Sequence, residues 1–265
     1  MQWYTPTEPP ERLNGVLSCS WTAVPSGEHR LVPDGCIDVL WTSSDDLVIC
    51  GPETTAWTFQ LPAGTTAVGV RFRPGVAPAV FDFDASEIFD RRVPLESIIG
   101  GERDGTIRDR LRSYEDFDEC RRALEAVVVE LVDGRTLDTH FSDRVIDRVV
   151  SESNPTATDL ADHVGLTVRQ LHRRSLRSFG YGPKVLGRLL RFQRFLALSE
   201  ASRESNSLTA LGADAGYSDH PHLVRDCRAI TGLTPTAFLD EYFPTFPEMS
   251  DPFKTATPLI ATMPT

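Results

Sequence analysis

Between Thr158 and Phe238 one pattern occurs twice, and no other stretch limits the fold so strongly. The first copy reads TDLADHVGLTVRQLHRRSLRSFGYGP; the second, from Ser207, reads SLTALGADAGYSDHPHLVRDCRAITGLTP. Each holds a short apolar helix, a glycine turn (Gly165, Gly216), a hydroxyl residue able to cap (Thr167, Ser218), and then a basic helix. Each closes on glycine and proline, Gly180 with Pro183 and Gly232 with Pro235. Glycine supplies the left-handed turn, the hydroxyl occupies orphan amides, and proline suits a first helical turn. This is a helix-turn-helix written twice, and it makes duplex DNA the first partner to consider.

The periodicity assigns faces. Asn154-Pro155-Thr156 breaks the chain and leaves Thr158 as a candidate N-cap. Leu160, Ala161 and Val164 form the inner face of a positioning helix, and Leu171 must face the core from the next. Arg169, His172, Arg173 and Leu176 then lie on the opposite side. Arginine near the start of such a helix can bond guanine O6 and N7 or pin a phosphate. From Pro183 to Glu200 the chain reads as a rod of roughly 27 Å with Val185, Leu186, Leu189, Leu190, Phe192, Gln193, Phe195 and Leu196 buried on two sides. Such a rod can hold two reading helices near the ~34 Å spacing of successive major grooves. In the second copy Leu208, Leu211 and Ala215 point inward, as do Leu223 and Cys227 on a reading helix from Asp219 to Ile230. His220, His222, Val224 and Arg225 are the candidates for the DNA side. His220 and His222 stand at i, i+2, too cramped on a helix for a shared metal, and no metal or other cofactor is expected.

A net charge of −11 seems at odds with a nucleic-acid partner. Its distribution resolves the conflict: residues 1–142 carry 13 basic and 24 acidic side chains, whereas residues 143–241 carry 13 and 12. Phosphate attraction follows local potential, so an acidic excess elsewhere does not forbid binding. The five cysteines (Cys19, Cys36, Cys50, Cys120, Cys227) are scattered without a C-x-x-C, the pattern of reduced thiols and not of a zinc site or disulfide framework. The opening MQWYTPTEPPER has neither a basic nor an apolar leader segment, and the longest apolar runs are far too short for a membrane span. A cytoplasmic location without membrane contact is therefore expected.

Before about residue 95, short runs rich in Val, Ile, Thr and aromatics alternate with Gly, Pro, Ser and Asp: GVLSCSWTAV, CIDVLWTS, LVICGP, TTAWTFQLPAG and TTAVGVRFRPG. That spacing predicts an antiparallel β sandwich or barrel-like domain. Within it, Pro33-Asp34-Gly35-Cys36-Ile37-Asp38 forms a tight turn entering a strand, and Arg71 and Arg73 share one strand face. Asp34, Cys36, Asp38, Arg71 and Arg73 are the candidate ligand-binding residues, the arginines for an anion or the carboxylates for a hydroxyl or amine. The plain alternative is an Arg–Asp pair on an outer strand face. No catalytic residue stands out. Only His29 precedes the linker helices, which disfavours a metal-dependent oxygenase, and no histidine stands in a recognisable relation to Cys36. Ala85–Phe89 and Val93–Leu95 read as short turns or helices. Ile107, Leu111 and Tyr114 begin a helical pattern, and Phe117–Val132 is a clear amphipathic helix. Its stripe is Phe117, Cys120, Leu124, Val127, Val128 and Leu131, with Glu119, Arg121, Arg122, Glu125 and Glu130 around it.

The second repeat, GYSDHPHLVRDCR with GLTPTAFL, resembles the AraC/XylS family of bacterial transcription regulators. The run GYGPK…LRFQRFLAL is similar to the helix between the motifs in one branch of that family, and LVPDGCIDVLW and GVRFRPG resemble the sensor-like N-terminal β domain of the same branch. The resemblance implies base-reading sites at Arg169, His172 and Arg173, then at His220, Pro221, His222, Val224 and Arg225. Ser175 and Cys227 depart from it, standing where the family packs an aromatic, and so does Gly212, where the family prefers alanine. It also implies operator DNA as partner, a small-molecule effector or a homodimer through the N-terminal half, and RNA polymerase if the output is activation. The expected organisation is α+β: a β-rich sensor-like domain at 1–100, linker helices at 101–142, an all-α domain with two helix-turn-helix motifs at 143–241, and a disordered tail at 242–265. A second reading, a DNA-binding module fused to an enzymatic or thiol-reactive domain, with alkyl transfer or redox sensing at Cys36, stays open here.

Overall fold

Alternation of inward and outward side chains builds eight strands in the computed structural model, which describes residues 3–24, 27–152, 155–201 and 207–245. Strands β1 (Tyr4–Thr7), β2 (Leu17–Ala23), β4 (Ile37–Thr42), β5 (Leu47–Cys50), β7 (Ala67–Phe72) and β8 (Arg92–Pro94) form one antiparallel sheet in the order β1-β2-β7-β4-β5-β8. β3 (His29–Leu31) and β6 (Trp57–Phe59) pair separately. Three of these elements differ from expectation, the first being β1, which no expected run covers. Val93-Pro94 adds an edge strand in place of a turn, where proline costs no ladder bond. His29–Leu31, outside the expected runs, pairs with β6.

One face of the large sheet carries Val39, Trp41, Ile49, Val68, Val70 and Phe72 and packs on α4 (Phe117–Val132). Helices α1 (Ala77–Phe81), α2 (Glu96–Ile99) and α3 (Gly101–Arg112) close that core. The helix expected from Ile107, Leu111 and Tyr114 therefore stops at Arg112, and Tyr114 is exposed. The α4 stripe is where its periodicity placed it, but Arg121 and Glu125 are buried against the sheet rather than solvated. The reason is Ser20 on β2. Its hydroxyl donates to Glu125, and Arg121 Nη1 reaches both Glu125 Oε1 at 2.6 Å and Ser20 Oγ at 3.0 Å, so three buried polar groups satisfy one another.

The other face presents Cys19, Trp21, Asp38, Leu40, Cys50 and Arg71 toward β3, β6 and Trp3. Gly69 lies opposite Trp21, and a β-carbon there would collide with the indole. This face is covered from outside by helices. α5 (His140–Ser151), α6 (Ala157–Val164) and α7 (Val168–Phe179) make the first helical unit; α9 (Leu208–Asp214), α10 (His220–Thr231) and α11 (Pro235–Thr245) make the second. Between them runs α8 (Pro183–Ala201), whose Leu186, Leu189, Phe192 and Phe195 are fully buried. Nineteen residues make it about 28 Å long.

Several contacts lock the helical part to the β part. Gln193 Nε2 donates to Pro33 O at 2.7 Å, and Ala56 N donates to Ile230 O at 2.6 Å. Arg30 donates to Thr231 O at 2.8 Å and pairs with Glu241. Gly180, in the left-handed region at φ +79°, closes α7 against Pro52 and Ala85. Both α7 and α10 are thus held by their C-terminal ends. Of the expected tail, residues 242–245 continue α11, and residues 246–265 lie outside the described residues.

Candidate functional site

Each basic helix starts from a side-chain cap. Thr167 caps α7, accepting from Gln170 N at 3.3 Å while Gln170 Oε1 accepts from Thr167 N at 2.9 Å. Two other caps sit one or two residues from the expected ones. Thr156, not Thr158, starts α6 because Asp159 stands three residues on to complete the reciprocal box. Asp219, not Ser218, caps α10 through His222 N at 2.6 Å; a carboxylate outcompetes a hydroxyl for a helix N-terminus. The carboxyl of Asp219 is held below its ordinary range by that bond.

On α7, Leu171 and Ser175 are buried while Arg169, His172 and Arg173 are exposed together on the outer face. Val168, 46% exposed at the first turn, joins them. Sequence reasoning passed over it because valine at a helix start reads as filler, yet an exposed apolar group beside arginines suits a thymine methyl. Arg174 and Arg177 turn to the linker and the β part instead, pairing with Asp138 at 3.3 Å and Asp82 at 3.8 Å respectively. Among the described residues, Arg169 and Arg173 have no acidic partner.

On α10 the expected residues divide. His220, Pro221 and Arg225 are exposed; Leu223 and Cys227 are buried; Val224 is half-buried. His222 is also half-buried, its Nδ1 3.1 Å from Ser218 Oγ and its Nε2 3.5 Å from Asp226, with its ring edge-on to Tyr217. Asp226 accepts from Arg191 of α8 at 3.2 Å. Ser218 and His222 therefore brace this unit through their side chains. Gly212 lets α9 approach Leu223 closely.

The β part brings together four of its five candidates. Arg71 Nε bonds both Asp38 oxygens at 3.1 Å and its Nη1 pairs with Asp34 at 3.2 Å. Trp21 Nε1 donates to Asp38 at 2.8 Å, and Asp34 accepts from Cys36 N at 2.8 Å. Arg73 lies past the end of β7, and it lines neither of the two small cavities at this cluster. The Arg–Asp pair is not on an outer face: β3, β6 and the helical domain cover it. The cavities, each about 50 Å3, share Leu31, Asp38, Cys50, Trp57 and Arg71. One continues over Trp3, Tyr4, Trp21 and Phe59, the other over Asp34, Cys36 and Glu53. Burial pushes Asp38 up against the pull of Arg71, and it pushes Glu53 up to about 8 despite its pair with Arg92. Burial first, then Asp34, raises the Cys36 thiol well above its ordinary value, and Cys50 is pushed up to about 12. A thiol so protonated is a poor nucleophile. Among the described residues no group of His, Cys, Asp and Glu could hold a metal ion, and no helix is long and apolar enough to cross a membrane.

The fold and the paired capped helices are those of a DNA-binding regulator with a helix-turn-helix region, and residues 160–241 match the family model described as a helix-turn-helix domain. Residues 6–94 match a domain of unknown function, DUF6597. No curated protein sequence matches the chain significantly. Among solved structures the chain is similar to ToxT from Vibrio cholerae O395, with 9% identity over 91% of this chain and 98% of that one, at a TM-score of 0.45. It is also similar to an apo single-substitution ToxT from Vibrio cholerae strain SCE256, at 11% identity over 89% and 96% and a TM-score of 0.43.

Proposed function

We propose that the chain is a sequence-specific, non-enzymatic transcription regulator of the AraC/XylS type that reads two successive major grooves. The observation that carries this is the pairing of two capped reading helices on one buried rod, with Arg169, His172 and Arg173 exposed on one and His220 and Arg225 on the other. The arginines supply guanine or phosphate contacts, Val168 an apolar one, and Thr167 an amide-rich helix start for a backbone phosphate. A single chain then spans both grooves without dimerising. Such a protein works in the cytoplasm, with operator DNA as its partner and RNA polymerase as a second if it activates.

The β part, residues 1–100, is the control domain, joined through linker helices at 101–142 to the reader at 143–241. Its effector site is the cavity at Asp34, Cys36, Asp38 and Arg71. Support comes from position: the loops that line the cavity, at 31–36 and 50–57, also carry the bonds to α8 and α10 and the contact with Gly180. A homodimer through this half is the alternative mode of control. Alkyl transfer at Cys36 is disfavoured by its buried, protonated thiol.

Selection of bound sites from random duplex DNA tests the reading. Enrichment of a bipartite site with its halves one helical turn apart is expected, lost in the Arg173→Ala, Arg225→Ala double variant. Recovery of no sequence preference at low salt would remove it.

A further inference from the structure

The cavity at Arg71 is short of positive charge. Three carboxylates, Asp34, Asp38 and Glu53, face it with side chains at most 16% exposed, while among the described residues Arg71 is the one comparably buried cation lining it. Arg92 pairs with Glu53 from the rim, 35% exposed. Both thiols are neutral for the reason already given. Even with Arg92 counted, three anions meet two cations. Within the protein alone this is relieved by a proton: Glu53 is pushed up to about 8 by burial. A buried cluster that must hold a proton to balance itself favours an occupant that brings the charge instead.

The remaining wall is mostly aromatic, with Leu31, Leu40 and Cys50 between the rings. Trp3, Tyr4, Trp21, Trp57 and Phe59 surround the apolar lobe, with Tyr4 and Trp21 ring centroids 5.6 Å apart and Trp57 edge-on to Phe59 at 5.7 Å. Aromatic faces beside carboxylates attract cations through the ring quadrupole as well as by charge. The chain already uses this chemistry, since the Arg92 guanidinium stacks 3.4 Å from the Trp57 ring centre. The two cavities, about 50 Å3 each, share Asp38, Trp57 and Arg71 in their walls and are together smaller than the roughly 150 Å3 cavity that holds benzene.

We infer that this pair of cavities binds a small alkylammonium ion of about four or five heavy atoms, its charged nitrogen among Asp34, Asp38 and Glu53 and its carbon groups against Trp21, Trp57 and Phe59. The inference rests on reading the cavity as the effector site and names the chemistry of what enters it. A carboxylate would add to the excess negative charge; a neutral isostere would leave it uncompensated.

The test uses the full chain, titrated with ethanolamine, trimethylammonium and tetramethylammonium chlorides while indole fluorescence and melting temperature are followed. Sodium chloride at equal ionic strength, tert-butanol and sodium acetate are the controls. A saturable fluorescence change and a rise in melting temperature with at least one ammonium ion, absent from all controls, is the expected result. Affinity falls about tenfold or more in Asp38→Asn, and also in Trp57→Leu, which keeps the Arg71 pairs intact should the first variant fold poorly. Equal response to tert-butanol or acetate overturns the cation assignment, and so does silence with all three ammonium ions. Mobility shift on a selected DNA site separates this from the proposal it rests on: ammonium binding without any change in DNA affinity keeps the cation site and overturns effector control.

Discussion

Gln193 in the middle of α8 donates its side-chain amide to the carbonyl oxygen of Pro33 across 2.7 Å, with both residues buried. The bond joins the rod that spaces the two reading helices to the loop that enters the cavity. Replacing Gln193 with leucine keeps the volume but strands a buried carbonyl, a loss of about 1–3 kcal/mol. Urea unfolding is expected to show a lower midpoint with an unchanged slope. An unchanged midpoint would mean that water substitutes for the amide.

Two glycines that both cap helices in the left-handed region separate strain from docking. Gly165, φ +69°, has open space where a β-carbon would stand, so Gly165→Ala costs backbone strain alone, about 1 kcal/mol. Gly180, φ +79°, would place its β-carbon 2.5 Å from Pro52 Cγ and 3.2 Å from the carbonyl of Ala85. Gly180→Ala is therefore expected to destabilise the chain by at least about 1 kcal/mol more and to raise protease cleavage between the two halves. Equal melting temperatures for the two variants would show that the halves part without cost.

The two reading helices are expected to respond differently to alanine. Arg173 and Arg225 are exposed and neither has a salt bridge within 4 Å among the described residues, so each substitution is expected to lower affinity for a selected site by about 1–3 kcal/mol and to relax specificity locally. His222 bridges Ser218 and Asp226 under Tyr217, so His222→Ala lowers stability first. Competition binding against single-base variants, run beside thermal melts, distinguishes these cases. A His222→Ala protein with wild-type melting and altered base preference would move that residue to the DNA.

Asp138 and Asp82 hold Arg174 and Arg177 of α7 toward the linker and the β part. Both acids are well exposed, so the pairs add little to stability. Their negative charge beside the first reading helix opposes phosphate. Asp138→Asn is expected to raise DNA affinity two- to fivefold at low salt, an effect on the order of 0.5–1 kcal/mol that fades as salt rises. Fluorescence anisotropy at two salt concentrations checks it; a salt-independent change would point to structure instead of charge.

The helical half was legible because its punctuation is local. Gly165, Thr167, Gly180 and Pro183 act on neighbouring residues through backbone geometry that a linear sequence displays. Even there, the cap moved to Asp219 because a carboxylate and a hydroxyl adjacent in sequence compete in space. In the β half, the longer strands were legible from alternation, but β1, β3, β8 and the meaning of each face were not. Asp38 and Arg71 look solvated until β3, β6 and the helical domain cover them, and nothing in residues 33–38 or 69–75 announces a cover that comes in part from residue 193. Glu53, Trp57 and Arg92 joined the cavity unannounced for the same reason. Arg121 and Glu125 are the mirror case: charged positions on a helix, buried because Ser20 waits on the strand beneath.

Glu53 gives the cavity a pH signature of defined sign. Burial raises its carboxyl from the ordinary 4.5 to about 8 in the folded chain, with Arg92 pulling the other way. Between those values the folded state holds a proton that the unfolded state has lost, so stability falls as pH rises through that window and is level below it. The full difference is on the order of 5 kcal/mol, an upper bound that solvent reaching the Arg92 side reduces. Glu53→Gln removes the titration: the variant is expected to match the wild type near pH 5 and to melt higher near pH 8.5. If cations enter the cavity, an ammonium ligand should supply the compensation that the proton otherwise gives, so its stabilising effect on the wild type grows from pH 6 to pH 8.5. Melting curves at four pH values with and without tetramethylammonium measure both slopes together. A wild-type stability that climbs over this range would mean that Arg92 governs Glu53 and that the cluster is already balanced.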